Sequence, residues 1–182
     1  IDAEQKYQRD TSPHNIIIHC QTAGIDQLEQ IRDLGLIPSF FPVHTYIWGK
    51  HHRDTYLGQP RAARMNPIAS AQKMNIICTM HSDSPVTAVD PWLLLWSAVT
   101  RLDEDGEILG PNERVSAYEG LLALTRNAAT QYRLADRGTL EKGKSADFIV
   151  LEQNPFSVGE QDLKDIRVIR TYVDGNLVFS RK

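Results

Sequence analysis

The sequence contains too few cysteines for a fold that depends on disulfide bonds. Its 182 residues include two, Cys20 and Cys78, whereas small secreted domains usually need several cystine pairs. Each cysteine lies in or beside an apolar run, so we expect both thiols to be reduced and mostly buried. Reduced cysteines are compatible with the cytoplasm, which is the location we expect.

Long apolar runs and a strong excess of charge are also missing. No stretch approaches the ~18 residues of a membrane-spanning helix. Residues 1–10 are polar from the start, so we expect no signal peptide. The formal net charge is -3 and the basic residues are dispersed, so we expect neither nucleic acid nor a membrane as a partner. Because the first residue is Ile1 rather than methionine, we expect a processed or cut piece.

What the sequence does contain is a globular composition and a repeated strand–loop–helix pattern. The chain is 41% hydrophobic and 24% charged, as soluble globular proteins are. A polar lead-in over residues 1–13 precedes an apolar run at 15–20, which is typical of a buried strand. After Gly24, the residues Ile25, Leu28, Ile31 and Leu34 follow helical spacing. These features predict a first strand followed by a helix.

Two further units of the same kind follow. Residues 36–41 predict a second strand, residues 45–59 an irregular loop rich in aromatics and histidines, and residues 60–73 a helix. Residues 75–80 predict a third strand, which surfaces at the turn formers of residues 81–85. Three such units in series predict a parallel sheet with right-handed crossovers.

An ionisable side chain follows each predicted strand. His19 ends the first strand, His44 follows the second, and His81 with Asp83 follows the third. The carboxyl ends of parallel strands line the ligand crevice of α/β proteins, so these groups could bind a metal or transfer protons. For the last stretch the alternative is structural, with Asp83 capping a turn and His81 merely ending a strand.

The second half of the chain changes from helices to strands. Asp90 is placed to cap a buried helix in which Trp92 and Trp96 share a face, and core packing is the favoured role of both. Residues 116–119 form a capping box ahead of a helix that reaches about residue 132. From Gly138 onwards the sequence predicts strands at 146–151, 166–173 and 176–179, with a hairpin turn at residues 174–175.

The order of these features resembles the carboxyl-terminal part of the amidohydrolase superfamily, and within it the amidohydrolase-3 group of YtcJ-like or AepA-like metal-dependent hydrolases. The resemblance covers roughly residues 14–180. Its most specific motif is G-x-L-x-x-G-K-x-A-D-h-h-h-L (h, apolar) at residues 138–151. Other matching stretches include Ile18-His-Cys-Gln21, Pro38-Ser-Phe-Phe-Pro-Val-His44, Trp48-Gly49, His81-Ser-Asp-Ser-Pro85 and Ser116-Ala-Tyr-Glu-Gly120.

The resemblance implies an α/β fold in two parts. Residues 1–136 would be the carboxyl-terminal part of a (β/α)₈ TIM barrel, with strands six to eight and their helices. Residues 137–182 would be part of a small β-sandwich composite domain. Such a partial barrel leaves sheet edges uncovered, so we expect homo-oligomers.

The resemblance also implies a metal site and an activity. His19 matches the metal-binding histidine of strand six, and Asp83 matches the strand-eight aspartate that contacts the metal and shuttles the catalytic proton. His44, Trp48 and His81 would contact substrate or support the metal ligands. The implied cofactor is a divalent metal, zinc before others, with one or two ions in a full-length parent. The implied parent hydrolyses carbon–nitrogen bonds other than peptide bonds in small molecules.

The sequence departs from the family in ways that leave other functions open. No histidine-x-histidine pair occurs in it, and one histidine with one aspartate is fewer ligands than zinc sites usually have. We therefore expect the chain alone to bind metal weakly and to be inactive. A non-catalytic regulatory protein and a small three-stranded binding module are the alternatives. The aromatic residues Tyr46, Trp48 and Tyr56 favour either a ring-bearing substrate or a packed lid.

Overall fold

The computed structural model describes residues 15–182, so the predicted lead-in over residues 1–13 lies outside the described residues. The described part contains two three-stranded sheets. The strands are β1 (Ile16–His19), β2 (Ile37–Phe40), β3 (Thr79–Met80), β4 (Phe148–Leu151), β5 (Val168–Val173) and β6 (Asn176–Ser180). The helices are α1 (Ile25–Asp33), α2 (Val43–His51), α3 (Gln59–Ala62), α4 (Ile68–Lys73), α5 (Pro91–Thr100), α6 (Ala117–Leu124) and α7 (Arg126–Gln131).

The first sheet is parallel in the order β1-β2-β3, which confirms the prediction. Its first strand is less buried than predicted. β1 pairs with β2 on one side and has no strand on its other side within the described residues. As a result Ile18 is 56% exposed, whereas every residue of β2 is buried. A continuous apolar run therefore indicated a strand correctly but did not distinguish an edge position from a central one.

The segment 45–59, predicted to be an irregular loop, is helical. α2 continues directly into a π-helical segment (His52–Leu57) that ends at Gly58, whose φ is 72°. A Cβ at Gly49 would lie 3.1 Å from Leu109, so the glycine allows α2 to pack closely against the segment after α5 that contains Leu109. The helix is stabilised by this packing, which local propensity does not reveal.

Three other predicted elements are shorter than expected. The helix over 60–73 is interrupted between α3 and α4, where Asn66 has a left-handed φ of 48° and Pro67 follows. The helix after residue 116 is interrupted at Thr125, whose φ is -121° and ψ is -88°. The third strand is limited to Thr79 and Met80, and the carbonyl of Cys78 accepts a hydrogen bond from the side chain of Asn127 at 3.0 Å.

Several local predictions are confirmed. The Asp90 carboxylate accepts hydrogen bonds from the first turn of α5, and Ser116 with Glu119 form the capping box of α6. The turn between β5 and β6 lies at residues 174–175. Both cysteines are free, and burial raises the pKa of Cys20 to about 11 and that of Cys78 to about 12, so both thiols stay protonated at neutral pH.

One hydrophobic core connects the parallel sheet to the carboxyl-terminal strands. It includes Phe40 of β2, Trp96 of α5 and Leu163, which lies between β4 and β5. The Lys164 ammonium lies 4.7 Å from the centre of the Trp96 ring, and Tyr46 packs edge-on against the same ring at 5.0 Å. Tyr46 therefore belongs to the core. The predicted boundary between residues 136 and 137 stays a prediction.

Among the helices of residues 15–182, none combines the length and apolar character that crossing a bilayer would require.

Two glycines of the loop after α5 provide a matched test of the packing. Gly110 and Gly106 have φ values of 71° and 82°, which strain any other residue. A Cβ at Gly110 would lie 1.8 Å from the carbonyl oxygen of Ala63, whereas nothing lies within 4 Å of one at Gly106. We expect Gly106→Ala to lower the free energy of unfolding by about 1 kcal/mol, and Gly110→Ala to lower it by roughly 2 kcal/mol more. Urea unfolding measures both, and equal losses would contradict the close contact between this loop and the end of α3.

Candidate metal centre

The register of the parallel sheet brings three chain segments to one level. His19 pairs with Phe40, and Phe40 pairs with Met80. The amide of His81 donates a hydrogen bond to the carbonyl of Phe40 at 2.9 Å, which extends the pairing by one residue. The side chains that follow the three strands therefore meet at the carboxyl edge of the sheet, as the sequence predicts.

Two histidines and an aspartate come together at this edge, and we call them the His–His–Asp cluster (His19, His81 and Asp83). His19 Nδ1 lies 2.8 Å from His81 Nε2, and His19 Nε2 lies 3.5 Å from Asp83 Oδ2. Each residue offers one potential ligand atom, and these three atoms lie within 4.8 Å of one another. All three residues are partly exposed, so a small ligand can reach them.

The backbone turns sharply where it enters the cluster. His19, Cys20 and Asp83 have left-handed φ values of 67°, 46° and 52°. For residues other than glycine this conformation costs of order 1–3 kcal/mol, and it is concentrated at functional sites. The amide of Cys20 donates a hydrogen bond to the carbonyl of Ile18 at 2.9 Å, so the chain turns directly at the end of β1. This turn directs the chain out of the sheet at the level of the His19 side chain.

The donor atoms of the cluster fit a divalent metal ion. Imidazole nitrogen and carboxylate oxygen are both ligands for zinc. Two ligands of one tetrahedral zinc ion, each at 2.0–2.2 Å, lie roughly 3.3 Å apart. The 3.5 Å between His19 Nε2 and Asp83 Oδ2 agrees with this spacing, whereas the 2.8 Å between the two histidines is a hydrogen-bond distance. His19 Nε2 and Asp83 Oδ2 are therefore the pair of atoms best placed for an ion.

One side of the cluster is an aromatic wall formed by Phe41, His44 and Trp48. The Phe41 ring stacks against His19 and His81 at centroid distances of 5.8 Å and 5.5 Å. His44 lies 4.4 Å from Phe41 and 4.9 Å from Trp48 between ring centroids. Trp48 thus contacts the cluster only through these two rings. The wall gives the site an apolar surface beside its polar atoms.

Burial keeps the histidines around the cluster neutral. Burial is the largest cause that lowers the pKa of His44 to about 4, and repulsion from positive charge on His19 and His52 contributes to the same shift. Burial is also the main cause that lowers the pKa of His81 and of His52. Nδ1 of His44 is buried and has no hydrogen-bond partner among the described residues.

The structure brings all five predicted site residues together: His19, His44, Trp48, His81 and Asp83. It also adds three that sequence reasoning missed: Ser39, Phe41 and His52. His52 had a usable signal, because residues 44, 48 and 52 are four apart and share one face of a helix. Predicting a loop for this segment hides that signal. Ser39 is buried within β2, and nothing in the local sequence indicates its contact with His81.

The aromatic residue Tyr56 lies further out. It is 62% exposed, and its hydroxyl lies 3.1 Å from Nε2 of the exposed His51. Its ring contacts His52, at 5.8 Å between centroids, rather than the His–His–Asp cluster. Of the three aromatics that the sequence offered for substrate contact, Trp48 alone packs against the rings of Phe41 and His44, which contact the cluster.

Comparisons with known proteins identify a family and related sequences. The profile of a family described as the amidohydrolase family matches residues 2–179. The N-substituted formamide deformylase of Arthrobacter pascens is 28% identical over 184 residues, which cover 100% of this chain and 34% of that protein. The putative amidohydrolase YtcJ of Bacillus subtilis (strain 168) is 24% identical over 188 residues, which cover 100% of this chain and 35% of that protein.

A solved structure gives the corresponding similarity of fold. An uncharacterised metal-dependent hydrolase from Pyrococcus horikoshii OT3 superposes with a TM-score of 0.71 at 24% identity, covering 87% of this chain and 32% of that chain. An amidohydrolase from Thermotoga maritima MSB8 superposes with a TM-score of 0.65 at 21% identity, covering 91% of this chain and 37% of that chain. The chain spans about a third of the length of the curated relatives it matches.

The lowered pKa of His44 predicts how stability depends on pH. Below its ordinary value of 6.5 the unfolded chain binds a proton at His44 that the folded chain excludes until about pH 4. Stability from this group is therefore complete above pH 6.5 and is lost as the pH falls toward 4. We expect His44→Gln to flatten the dependence of the urea midpoint on pH between 6.5 and 4. His51→Gln, at an exposed position of the same helix, is the control, and equal slopes for His44→Gln and wild type would contradict the assignment.

Proposed function

The chain belongs to the amidohydrolase family, and from this premise we propose that it carries part of the site of a metal-dependent hydrolase acting on carbon–nitrogen bonds other than peptide bonds. The observation that carries the proposal is the 3.5 Å approach of His19 Nε2 and Asp83 Oδ2 at the carboxyl edge of a parallel sheet. That edge is where barrel enzymes place their catalytic groups. The name of the Arthrobacter relative supports a small amide or formamide as substrate.

In this proposal β1, β2 and β3 are strands six, seven and eight of a (β/α)₈ barrel. The parallel order of the three strands and the location of the cluster at their carboxyl ends support this assignment. The antiparallel strands β4, β5 and β6 would then belong to the composite β domain. The division after residue 136 is part of the same proposal.

His19 and Asp83 would hold the metal, for which zinc is the first candidate. A bound zinc ion supplies Lewis acidity and lowers the pKa of water toward ~7, which provides a nucleophile at neutral pH. The Nε2 lone pair of His19 and the Oδ2 atom of Asp83 are the donor atoms. The Phe41 ring stacks against one face of the His19 imidazole.

Asp83 would also move the proton of the reaction. As a carboxylate it can accept a proton from the attacking water and deliver it to the departing amine nitrogen, which is general acid–base catalysis. Neutral His44 can donate one ring N–H to the carbonyl oxygen of the substrate amide as that oxygen gains negative charge. Trp48 and Phe41 exclude water on the side where they pack, and this strengthens both interactions.

The number of ligands limits what the chain does alone. A catalytic zinc site usually has three protein ligands, and His19 with Asp83 provide two. His81 is the third candidate, but its Nε2 is engaged by His19 at 2.8 Å. We therefore expect weak zinc binding and no turnover from these 182 residues without a further ligand.

Self-association is a separate part of the proposal. β1 and β3 are the two edge strands of the parallel sheet within the described residues, and Ile18 of β1 and Ile77, just before β3, are 56% and 44% exposed. Exposed apolar side chains next to an unpaired strand favour contact with another strand. These features support a homo-oligomer.

Zinc titration of the chain tests the proposed site. We expect a weak single site in the wild type and a loss of affinity of at least roughly tenfold in His19→Ala and in Asp83→Asn, since both changes remove a donor atom. Isothermal titration calorimetry in chelator-treated buffer measures the affinity. His51→Ala removes an exposed imidazole from outside the cluster and should bind zinc as the wild type does.

Two results would count against the proposal. If His19→Ala and Asp83→Asn bound zinc like the wild type, the ion would be elsewhere. If the wild type bound no zinc at all, the non-catalytic alternative would be favoured.

A further inference from the structure

The loop that follows β3 carries one buried side chain next to the His–His–Asp cluster. Among residues 81–89, Thr87 alone is buried, at 8% exposure, and residues 84–86 and 88–89 are exposed. The Thr87 hydroxyl donates a hydrogen bond to the carbonyl of Ser82, the residue immediately before Asp83. The loop therefore folds back onto the chain segment that carries Asp83.

The Ser82 carbonyl belongs to the planar peptide unit that joins Ser82 to Asp83. Rotation of this unit changes ψ of Ser82 and φ of Asp83 together, so a hydrogen bond to the carbonyl oxygen restrains φ of Asp83. That angle is 52°, a left-handed conformation that residues other than glycine seldom adopt. If the unit turned over, φ of Asp83 would become negative, as most residues prefer. The Thr87 hydroxyl opposes this relaxation.

The peptide unit on the other side of Asp83 is held as well. The carbonyl of Asp83 accepts a hydrogen bond from the amide of Val86 at 2.8 Å, which restrains ψ of Asp83. On the side of the strand, the amide of His81 donates to the carbonyl of Phe40. With φ and ψ both restrained, the direction of the Cα–Cβ bond of Asp83 is set, and this direction limits where the carboxylate can lie.

We propose that Thr87 is a positioning residue, whose hydroxyl holds the peptide unit between Ser82 and Asp83 in the orientation that directs the Asp83 carboxylate toward His19. In this orientation Asp83 Oδ2 lies 3.5 Å from His19 Nε2. The inference rests on the proposed function for the use of Asp83 as a metal ligand. Thr87 supplies no ligand atom of the cluster and acts through the backbone.

The chemistry of this contact is unambiguous. A carbonyl oxygen only accepts hydrogen bonds, so the Thr87 hydroxyl must be the donor. The branched Cβ of threonine restricts rotation about χ1, which keeps the hydroxyl directed at one acceptor. Valine has nearly the same shape without the donor, so Thr87→Val leaves a methyl group against the Ser82 oxygen. We expect the peptide unit then to rotate until this oxygen reaches water.

Crystal structures of the metal-free wild type and of Thr87→Val test the proposal directly. In the wild type we expect a positive φ at Asp83 and a carboxylate that lies beside His19. In Thr87→Val we expect a negative φ at Asp83 and a carboxylate turned away from His19, while β3 keeps its pairing with β2. This readout needs no metal.

Amide hydrogen exchange tests the same contact in solution. Loss of the hydrogen bond should make the loop open more often, so we expect the Val86 amide to exchange about tenfold faster in Thr87→Val. The His81 amide, which is bonded to the neighbouring strand, should exchange as in the wild type. Zinc affinity should fall by about tenfold, because Asp83 is no longer held beside His19.

Two further variants serve as controls. Thr87→Ser keeps the hydroxyl and should restore the Asp83 conformation and the zinc affinity. Thr100→Val makes the same chemical change at a threonine of α5 that is 2% exposed and donates to the carbonyl of Trp96 at 2.8 Å. It should match the wild type in Val86 exchange and in zinc affinity. Thermal unfolding identifies any variant that does not fold, and Thr87→Ala, which removes the same donor, replaces Thr87→Val in that case.

The outcomes separate this inference from the proposed function. An Asp83 that keeps its positive φ in the folded variant without the hydroxyl would overturn the inference, as would unchanged exchange of the Val86 amide. Unchanged zinc affinity in that variant, with affinity lost in Asp83→Asn, would also overturn it and leave the proposed function standing. If Asp83 turns away as expected but the wild type binds no zinc, the positioning role is supported and the proposed metal site fails.

Discussion

The parallel pairing of three strands is the constraint on which the rest of the structure depends. Phe40 is paired with His19 on one side and with Met80 on the other, so the chain leaves all three strands at one level. Side chains alternate along a strand, and a slip of one residue would turn His19 to the opposite face of the sheet. His19 and His81 lie 62 positions apart in the chain and meet because of this register. A metal site at this edge of the sheet can form only while the register is kept.

The segment between α3 and α4 and the buried side chain of Arg101 stabilise the strained turn after β1. The amide of Asn66 donates to the carbonyl of Gln21 at 2.8 Å, and the buried guanidinium of Arg101 donates to the carbonyls of Met65 and Asn66. Asn66 also donates from its side chain to Thr45 of α2. The segment between α3 and α4 thus ties the turn after β1 to α2, which carries His44 and Trp48. These contacts offset part of the cost of the two left-handed residues in that turn, His19 and Cys20.

Much of the fold could be predicted from local patterns, because those patterns act locally. The turn between β5 and β6 and the capping box at Ser116 are set by neighbouring residues and are found where the sequence predicts them. The helix over residues 43–57 was missed, since Val43 and Ile47 of α2 pack in one cluster with Leu94, which is distant in the sequence. At the site the chemistry of His19 and Asp83 could be predicted from strand ends and from the family resemblance. The link from Ser39 to His81 joins residues 42 positions apart, and no local pattern reports such a contact.

In the proposed metal site, His19 Nε2 and Asp83 Oδ2 hold the ion while His81 Nε2 contacts the other nitrogen of the His19 ring. X-ray diffraction from crystals of the zinc-loaded chain, recorded on both sides of the zinc absorption edge, tests it most directly. We expect one anomalous peak within bonding distance of both His19 Nε2 and Asp83 Oδ2, with the His81–His19 hydrogen bond intact. A zinc ion bound elsewhere, or bound through His81 after that hydrogen bond has broken, would contradict it.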